Sequence, residues 1–212
     1  MHFNDTLLLR FCLLLSLLGL LGLQQVSAQT ASLTLNVDAI HKDNLEPNIS
    51  NSSINFDGRV SGNLNVRIFT HSKWAFRFGA GVNDMRYTVS GRSLQSDYEA
   101  KRRDLSGIFG IEKHFKLLFL DIYPGFYIPV TVVGDDIIQT NFEEIKNGNV
   151  KAGLSLVLGG SIRLLKFLRL GAEFNYNFDT FKAEVWDNGD NTEKFDAKNL
   201  NYNTAITLGI QF

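Results

Sequence analysis

Residues two apart share a character along most of this chain. In the final stretch Leu200, Tyr202, Thr204, Ile206, Leu208, Ile210 and Phe212 alternate with Asn201, Asn203, Ala205, Thr207, Gly209 and Gln211. A period of two sends such sets to opposite faces of a strand, here one greasy face and one polar or small. The stretch before it sets Leu168, Leu170, Ala172, Phe174, Tyr176 and Phe178 against Arg169, Gly171, Glu173, Asn175, Asn177 and Asp179. Further back, Ala152, Leu154, Leu156, Leu158 and Ile162 oppose Lys151, Gly153, Ser155, Gly159, Ser161 and Arg163, and Leu118, Leu120, Ile122, Phe126, Ile128 and Val130 oppose Asp121, Tyr123, Gly125, Tyr127 and Thr131. Leu105, Gly107, Phe109 and Ile111 oppose Asp104, Ser106, Gly110 and Glu112; Trp74, Phe76, Phe78, Ala80 and Val82 oppose Arg77, Gly79, Gly81 and Asn83. Val60, Leu64, Val66 and Ile68 oppose Arg59, Ser61, Asn63, Asn65 and Arg67; Leu33, Leu35 and Val37 oppose Ser32, Thr34, Asn36 and Asp38. Eight strands are predicted, and beyond Ala28 neither a membrane-length apolar window nor a 3.6-residue stripe competes with them.

The predicted connections alternate in length. Short ones fall at Thr70–Lys73, His114–Lys116 and Leu164–Lys166; long polar ones fall at Lys42–Phe56, Ser90–Ser96, Gly134–Asn149 and Lys182–Lys198. Short turns at one end and long loops at the other are the habit of membrane β-barrels, and an even strand number returns both termini to the short-turn end.

Periodicity alone also fits a soluble barrel, but the sense of the alternation does not. The charges sit with the small residues: Arg59, Arg67, Arg77, Asp104, Glu112, Asp121, Lys151, Arg163, Arg169, Glu173 and Asp179. An eight-stranded bore is only wide enough to be filled by its own side chains, so bulky Phe, Leu and Tyr from every strand cannot all enter it. The charged set predicts an interior ion network in which opposite charges pair, as buried charges must. The apolar set then faces lipid, where a mid-bilayer charge would cost roughly 2–4 kcal/mol and a closed sheet leaves no unsatisfied edge. Aromatics cluster towards both strand ends, with Trp74, Phe76, Phe115, Phe167 and Phe212 at the turn end and Tyr87, Tyr98, Tyr176, Phe178 and Tyr202 at the loop end. That distribution predicts two interfacial girdles. The fold class expected is all-β: an eight-stranded antiparallel up-and-down transmembrane β-barrel.

Composition narrows the setting. Met1–Arg10 ends in a positive charge, Phe11–Leu23 is nearly unbroken leucine, and Val26-Ser27-Ala28 supplies small residues at a cleavage site. This is the layout of a secretory signal peptide over residues 1–28, followed by one domain over 29–212. The single cysteine, Cys12, lies inside that leader and not after its apolar run, so lipidation is not expected and the processed chain has no disulfide or thiolate chemistry. A net charge of −1 gives no electrostatic case for nucleic acid.

These features together resemble the small outer-membrane β-barrel proteins of the OmpA/OmpX-like, porin-family type. The resemblance covers residues 29–212 and rests on the leader, the alternating segments and the last strand Asn203–Phe212 with its terminal phenylalanine. It implies residence in the outer membrane of a Gram-negative cell as a monomer surrounded by membrane lipid and lipopolysaccharide. It also implies that Tyr202, Leu208, Ile210 and Phe212 form the signal read by the barrel-assembly machinery. The sequence departs from OmpA in having no peptidoglycan-binding domain after the barrel, so cell-wall anchoring is not implied.

Candidate chemistry is sparse. Some barrels of this size modify lipid A with a Ser/His/acid set, which needs a His beside a Ser and an orienting acid. His71-Ser72 are sequence neighbours whose side chains point apart, and His41 could meet Ser90 or Ser93 only across the loop end; His114 falls at a short turn. Asp187-Asn188-Gly189-Asp190-Asn191 offers oxygens but not the bidentate glutamate of a calcium loop, and reads as a polar turn. Gly79 and Gly81 lie within a strand with no following helix, so they make room for interior partners and do not hold a dinucleotide. No cofactor or metal is expected. Arg86, Arg92, Lys101, Arg102 and Arg103 gather where two strands leave the membrane and suit the phosphates of lipopolysaccharide. The function expected is structural or interactive, with four displayed loops serving adhesion, ligand contact or envelope integrity. A lipid A-modifying enzyme and a small-solute pore are the alternatives.

Overall fold

The computed structural model of the chain describes residues 31–43, 45–46, 52–91, 98–138, 144–145, 149–187 and 191–212. The leader predicted over residues 1–28 lies outside them. Eight long strands carry the fold: β1 (Ala31–Lys42), β2 (Ser52–Phe69), β3 (Trp74–Gly91), β4 (Tyr98–Lys113), β5 (Leu120–Val132), β6 (Leu154–Arg163), β7 (Leu168–Asp187) and β8 (Asn191–Gln211). Each pairs antiparallel with its sequence neighbour, and β8 returns to pair with β1. The barrel is closed, so every strand finds a partner on both sides through the lipid zone.

The turn end is tight. Lys73 takes a positive φ of 63° in the β2–β3 turn and Leu118 one of 56° in the β4–β5 turn. Leu118, expected on the greasy face of a strand, instead sits at a turn apex, 93% exposed. Phe115–Leu117 folds back on Leu120–Ile122, so this hairpin turns at Leu118–Phe119, beyond His114–Lys116. The backbone N–H of Phe212 donates to the carbonyl of Ala31 at 2.8 Å, stitching the last residue to the start of β1.

Through the middle of the barrel the apolar set faces outward. Leu35, Leu64, Phe78, Phe109, Phe126, Leu156, Phe174 and Leu208 are exposed, whereas Asn36, Asn65, Arg77, Glu112, Ser155, Glu173 and Thr207 are buried in the bore. The alternation changes sense towards the loop end. On β3 the outward positions run Phe78, Ala80, Val82 and then Asp84, Arg86, Thr88, while the inward ones run Gly79, Gly81, Asn83 and then Met85, Tyr87, Val89. Met85, Tyr87, Val89, Ala100 and Phe181 form a buried cluster with Ile54, Phe56 and Tyr98 packed against it. The belt thus ends where Val82 faces Leu105, and two residues on, Asp84 faces Arg103. Beyond that row the same strands build a water-soluble type of barrel, polar outside and apolar within.

Two expectations change as a result. Tyr87 and Tyr98 belong to this interior cluster and not to an outer girdle; of the expected loop-end belt, Tyr176, Phe178 and Tyr202 remain on the outer face. Parts of the regions read as long polar loops are also strand. β2 and β3 stay paired out to Ser52–Gly91, and β7 and β8 out to Asp187–Asn191. On β3 the outer face there is polar, Asp84, Arg86 and Thr88, and lacks the greasy half of the pattern, which is why alternation read for a lipid face missed it.

Candidate functional site

The residues predicted to fill the bore separate into groups along its axis. In the turn-end half, Arg67 and Arg77 reach Glu112 and Glu173 from across the barrel. Arg67 Nε lies 2.7 Å from Glu112 Oε2, and its Nη2 also bonds Glu173. Arg77 Nη1 lies 3.0 Å from both Glu112 Oε1 and Glu173 Oε2. Glu173 accepts further hydrogen bonds from Asn36 Nδ2 (2.7 Å) and the Tyr123 hydroxyl (3.0 Å), and Asn65 Oδ1 accepts from Arg77 Nε (3.0 Å). The guanidiniums of Arg67 and Arg77 also lie over the rings of Tyr123 and Tyr127, at 5.1 and 5.0 Å. Two cations and two anions, all buried and multiply bonded, satisfy the condition under which charge tolerates a dry interior.

Glycines make this possible. A Cβ at Gly159 would collide with the Tyr123 ring, and one at Gly79 with the Asn65 amide that holds Arg77. Below the cluster, His114 shares Asp121 with Arg169: His114 Nδ1 is 3.1 Å and Arg169 Nη1 2.6 Å from Asp121 Oδ2. His114 Nε2 faces Glu112 Oε2 at 3.3 Å, and its ring stacks on Tyr123. The space left on this side is about 20 Å³, room for one water at most.

Above the cluster lies a polar chamber of about 110 Å³ walled by Asn63, Ser106, Thr131, Asn177, Asn201 and Asn203 among others. Lys151 pairs with Asp179 at its wall (2.8 Å). Arg59 pairs with Asp43 (2.9 Å), which also receives Asn199 Nδ2 (3.0 Å), and His41 joins the group. Burial by itself would raise the Asp43 carboxyl, but the hydrogen bond from His41 and the charge of Arg59 hold it at about 2. On the loop side of the chamber stand the apolar cluster and Arg102, whose guanidinium lies 4.4 Å from the Phe181 ring centre and pairs with Asp104 (3.1 Å) and Asp136 (3.7 Å).

Several sequence expectations need correction. Arg163 is exposed at the turn end and makes no ion pair among the described residues, so it is not a network member. Asp104 pairs with Arg102 and not with the central cluster. Arg102 points inward, buried to 3%, and cannot touch lipopolysaccharide. Arg103 is on the outer face but is held by Asp84 through two hydrogen bonds of 2.6 and 2.8 Å. Arg86 and Lys101 are exposed there, directly opposite one another; Arg92 lies outside the described residues. Tyr202, Leu208, Ile210 and Phe212 all present themselves outward.

The histidines are committed elsewhere than to serine. His41 is bonded to Arg59 and Asp43, His114 has a carboxylate at each ring nitrogen, and His71-Ser72 lie on an exposed turn; Ser93 is outside the described residues. Asp187 and Asn191 face each other at the end of the β7–β8 ladder, and the three residues between them are not described. Among the described residues no three His, Cys, Asp or Glu side chains converge as metal ligands would. The sequence does not place Asp43, Asp136 and His114 in the ion network, because they sit outside regular alternation, and it puts Tyr123 on the inward face with no role there.

The geometry defines a closed transmembrane β-barrel with a charge-filled bore, of the outer-membrane type. No protein-family model matches the sequence, and no curated protein matches it. Solved structures share the fold. OprG from Pseudomonas aeruginosa superposes with a TM-score of 0.65 at 16% identity, over 88% of this chain and 96% of that one. A major outer membrane protein from Thermus thermophilus gives 0.60 at 13% identity, over 88% and 100%. The outer membrane protein AlkL, solved in DMPC bilayers, gives 0.53 at 16%, over 88% and 93%.

Proposed function

We propose that this protein is a closed outer-membrane barrel whose work is structural and interactive: it holds rigid hairpins out from the cell surface. The observation that carries the reading is the continuous pairing of β7 with β8 from the lipid belt to Asp187–Asn191, above a filled bore. From Phe178–Leu200 to that tip the ladder runs roughly 30 Å along the strands at about 3.4 Å per residue. A barrel needs nothing of that length to stay in a bilayer. The central Arg/Glu cluster argues against a solute path, since opening one means separating buried ion pairs. The commitment of His41 and His114 to carboxylates and arginine argues against a hydrolytic or acyl-transfer set.

The supporting expectations are export through the cleaved leader, monomeric residence among outer-membrane lipids, and assembly through the outward-facing Tyr202, Leu208, Ile210 and Phe212. Three measurements test the reading. Planar bilayers containing the protein should show no conductance steps, and cells expressing it should show lipid A of unchanged mass. Replacing residues 182–197 by a two-residue turn should abolish surface binding to a glycan and protein array by the nanodisc-embedded barrel. Steady conductance steps would establish a pore, a lipid A mass shift an enzyme, and array binding that survives the replacement would remove the hairpin from the function.

A further inference from the structure

The outer surface of β2, β3 and β4 can be read row by row across the sheet. The last lipid-facing row is Gly62, Val82, Leu105 and Val132. The next outward row holds Val60, Asp84 and Arg103, and the two charges there neutralise each other. The row above is Gly58, Arg86, Lys101 and Ile137. In it two cations stand directly opposite one another, exposed, with no ion pair to either among the described residues.

Like charges in direct cross-strand register repel, and an anion held between them would relieve that repulsion. Among the described residues no nearby carboxylate is paired with either cation. Asp84 is taken by Arg103, and Asp57 accepts from the Thr88 hydroxyl at 2.6 Å. Glu99 lies one row further out, opposite Thr88, and makes no ion pair with either cation. The ground beside Arg86 is open, because Gly58 has no side chain and a Cβ built there meets nothing within 4 Å.

Two apolar side chains flank the cation pair on an otherwise polar face. Val60 is 70% exposed on one flank and Ile137 47% on the other. The pair stands four residues beyond Val82 on a strand tilted as barrel strands are, so roughly 10 Å above the last apolar row at about 3.4 Å per residue. Long Arg and Lys stems can bend back from that height to the headgroup layer. Two convergent cations suit a phosphate, and flanking apolar side chains suit the lipid that carries it.

We infer that Arg86 and Lys101 form a clamp for a phosphate group of a lipid in the outer leaflet, with Val60 and Ile137 against the lipid body. The inference rests on the outer-membrane residence proposed above. It narrows the four described basic candidates, Arg86, Lys101, Arg102 and Arg103, to two, and it gives the barrel a fixed rotational face towards bound lipopolysaccharide.

The test is a titration of the purified barrel in detergent with bis-phosphorylated lipid A, read by native mass spectrometry. The double variant Arg86→Gln/Lys101→Gln should bind about tenfold or more weakly, whereas Arg103→Gln, already neutralised by Asp84, should stay within about twofold of the parent. Lipid A stripped of its phosphates should bind the parent no better than lipid A binds the double variant. Equal binding by parent and double variant, or undiminished binding of stripped lipid A, would overturn the clamp. Inorganic phosphate competing at concentrations equal to lipid A would overturn the lipid assignment in favour of a free-anion site. Insertion of each variant into lipid A-free vesicles, scored by heat-dependent mobility, separates loss of the clamp from loss of the barrel. A parent chain that failed to insert would undo the membrane reading itself.

Discussion

Arg77 and Glu173 stand 96 positions apart in the chain and meet at 3.0 Å inside the barrel, each fully buried. The contact exists only because β3 and β7 face one another across a closed sheet, and it depends on Arg67 and Glu112 being present beside it. Glu173→Gln keeps the shape and removes a charge, leaving two buried guanidiniums against one carboxylate. The expected loss is about 3–5 kcal/mol, read as a lowered urea midpoint of the folded barrel. A midpoint within experimental error of the parent would mean that the cluster is hydrated and not a plug.

Gly159 faces the ring of Tyr123, whose hydroxyl bonds Glu173. Gly159→Ala must push the ring aside, since the Cβ would occupy ring space. Overpacking of this kind costs about 1–3 kcal/mol. Combining it with Tyr123→Phe should give less than the sum of the two losses, because both act through one hydrogen bond. Additive losses would separate the glycine from the cluster.

Asp43 carries the pH dependence of the loop end. Its carboxyl is held at about 2 against an ordinary 3.8. A lowered carboxyl pKa contributes stability that is complete above the ordinary value and disappears as pH falls through the folded one. The clamp of Asp43, Arg59 and His41 should therefore weaken between about pH 4 and pH 2, with up to about 2 kcal/mol at stake. In urea titrations the parent should exceed Asp43→Asn by a constant margin from about pH 5 upward, and the margin should shrink below about pH 4. A margin that does not change between about pH 6 and pH 3 would assign the difference to shape and not to charge.

The lipid face can be checked position by position. Leu156 is outward and 47% exposed, and its neighbour Ser155 is inward, bonded to Asn177 at 2.6 Å. Leu156→Arg should cost roughly 2–4 kcal/mol in refolding into bilayers. Arg86→Leu, beyond the belt, should change refolding little. Reversal of that order would place the belt elsewhere on the barrel.

If the loop-side interior acts as the roof of the chamber, Arg102 is what locks it, by its pairs with Asp104 and Asp136 and its position over Phe181 and Tyr87. Arg102→Ala leaves both carboxylates buried beside an apolar cluster. With Asn201→Cys as a reporter on the chamber wall, a water-soluble thiol reagent should then react at least about tenfold faster than in the Arg102 parent, as the outer lid loosens. Equal rates would show that the roof does not depend on this residue.

The strand number, the outward direction of the greasy residues and the charged bore were legible along the chain because a side-chain period of two survives any tertiary context. Which charges meet was not. Arg163 and Glu173 carry the same local signature, a charge facing small residues on a strand, yet one lies at the rim and the other at the centre. Arg102 and Arg103 are adjacent and equally basic, yet one is buried beneath Phe181 and the other exposed with Asp84. The loop-end half of β3 was hidden for another reason. Its alternation persists, but the solvent inverts, and polar-out with apolar-in beyond Val82 looks like loop to a search for a lipid face.

By itself the sequence determined the local geometry and the solvent of each face: extended chain, alternating sides, a greasy exterior too bulky to fit within an eight-stranded bore. It also dictated that the interior charges be paired, since burial penalises any left alone. Only the tertiary structure decided the pairing, because barrel closure and strand stagger set which rows share a level. That stagger brought Arg67, Arg77, Glu112 and Glu173 to one height, put Asp43 on Arg59, and left Arg86 and Lys101 side by side on the outer face.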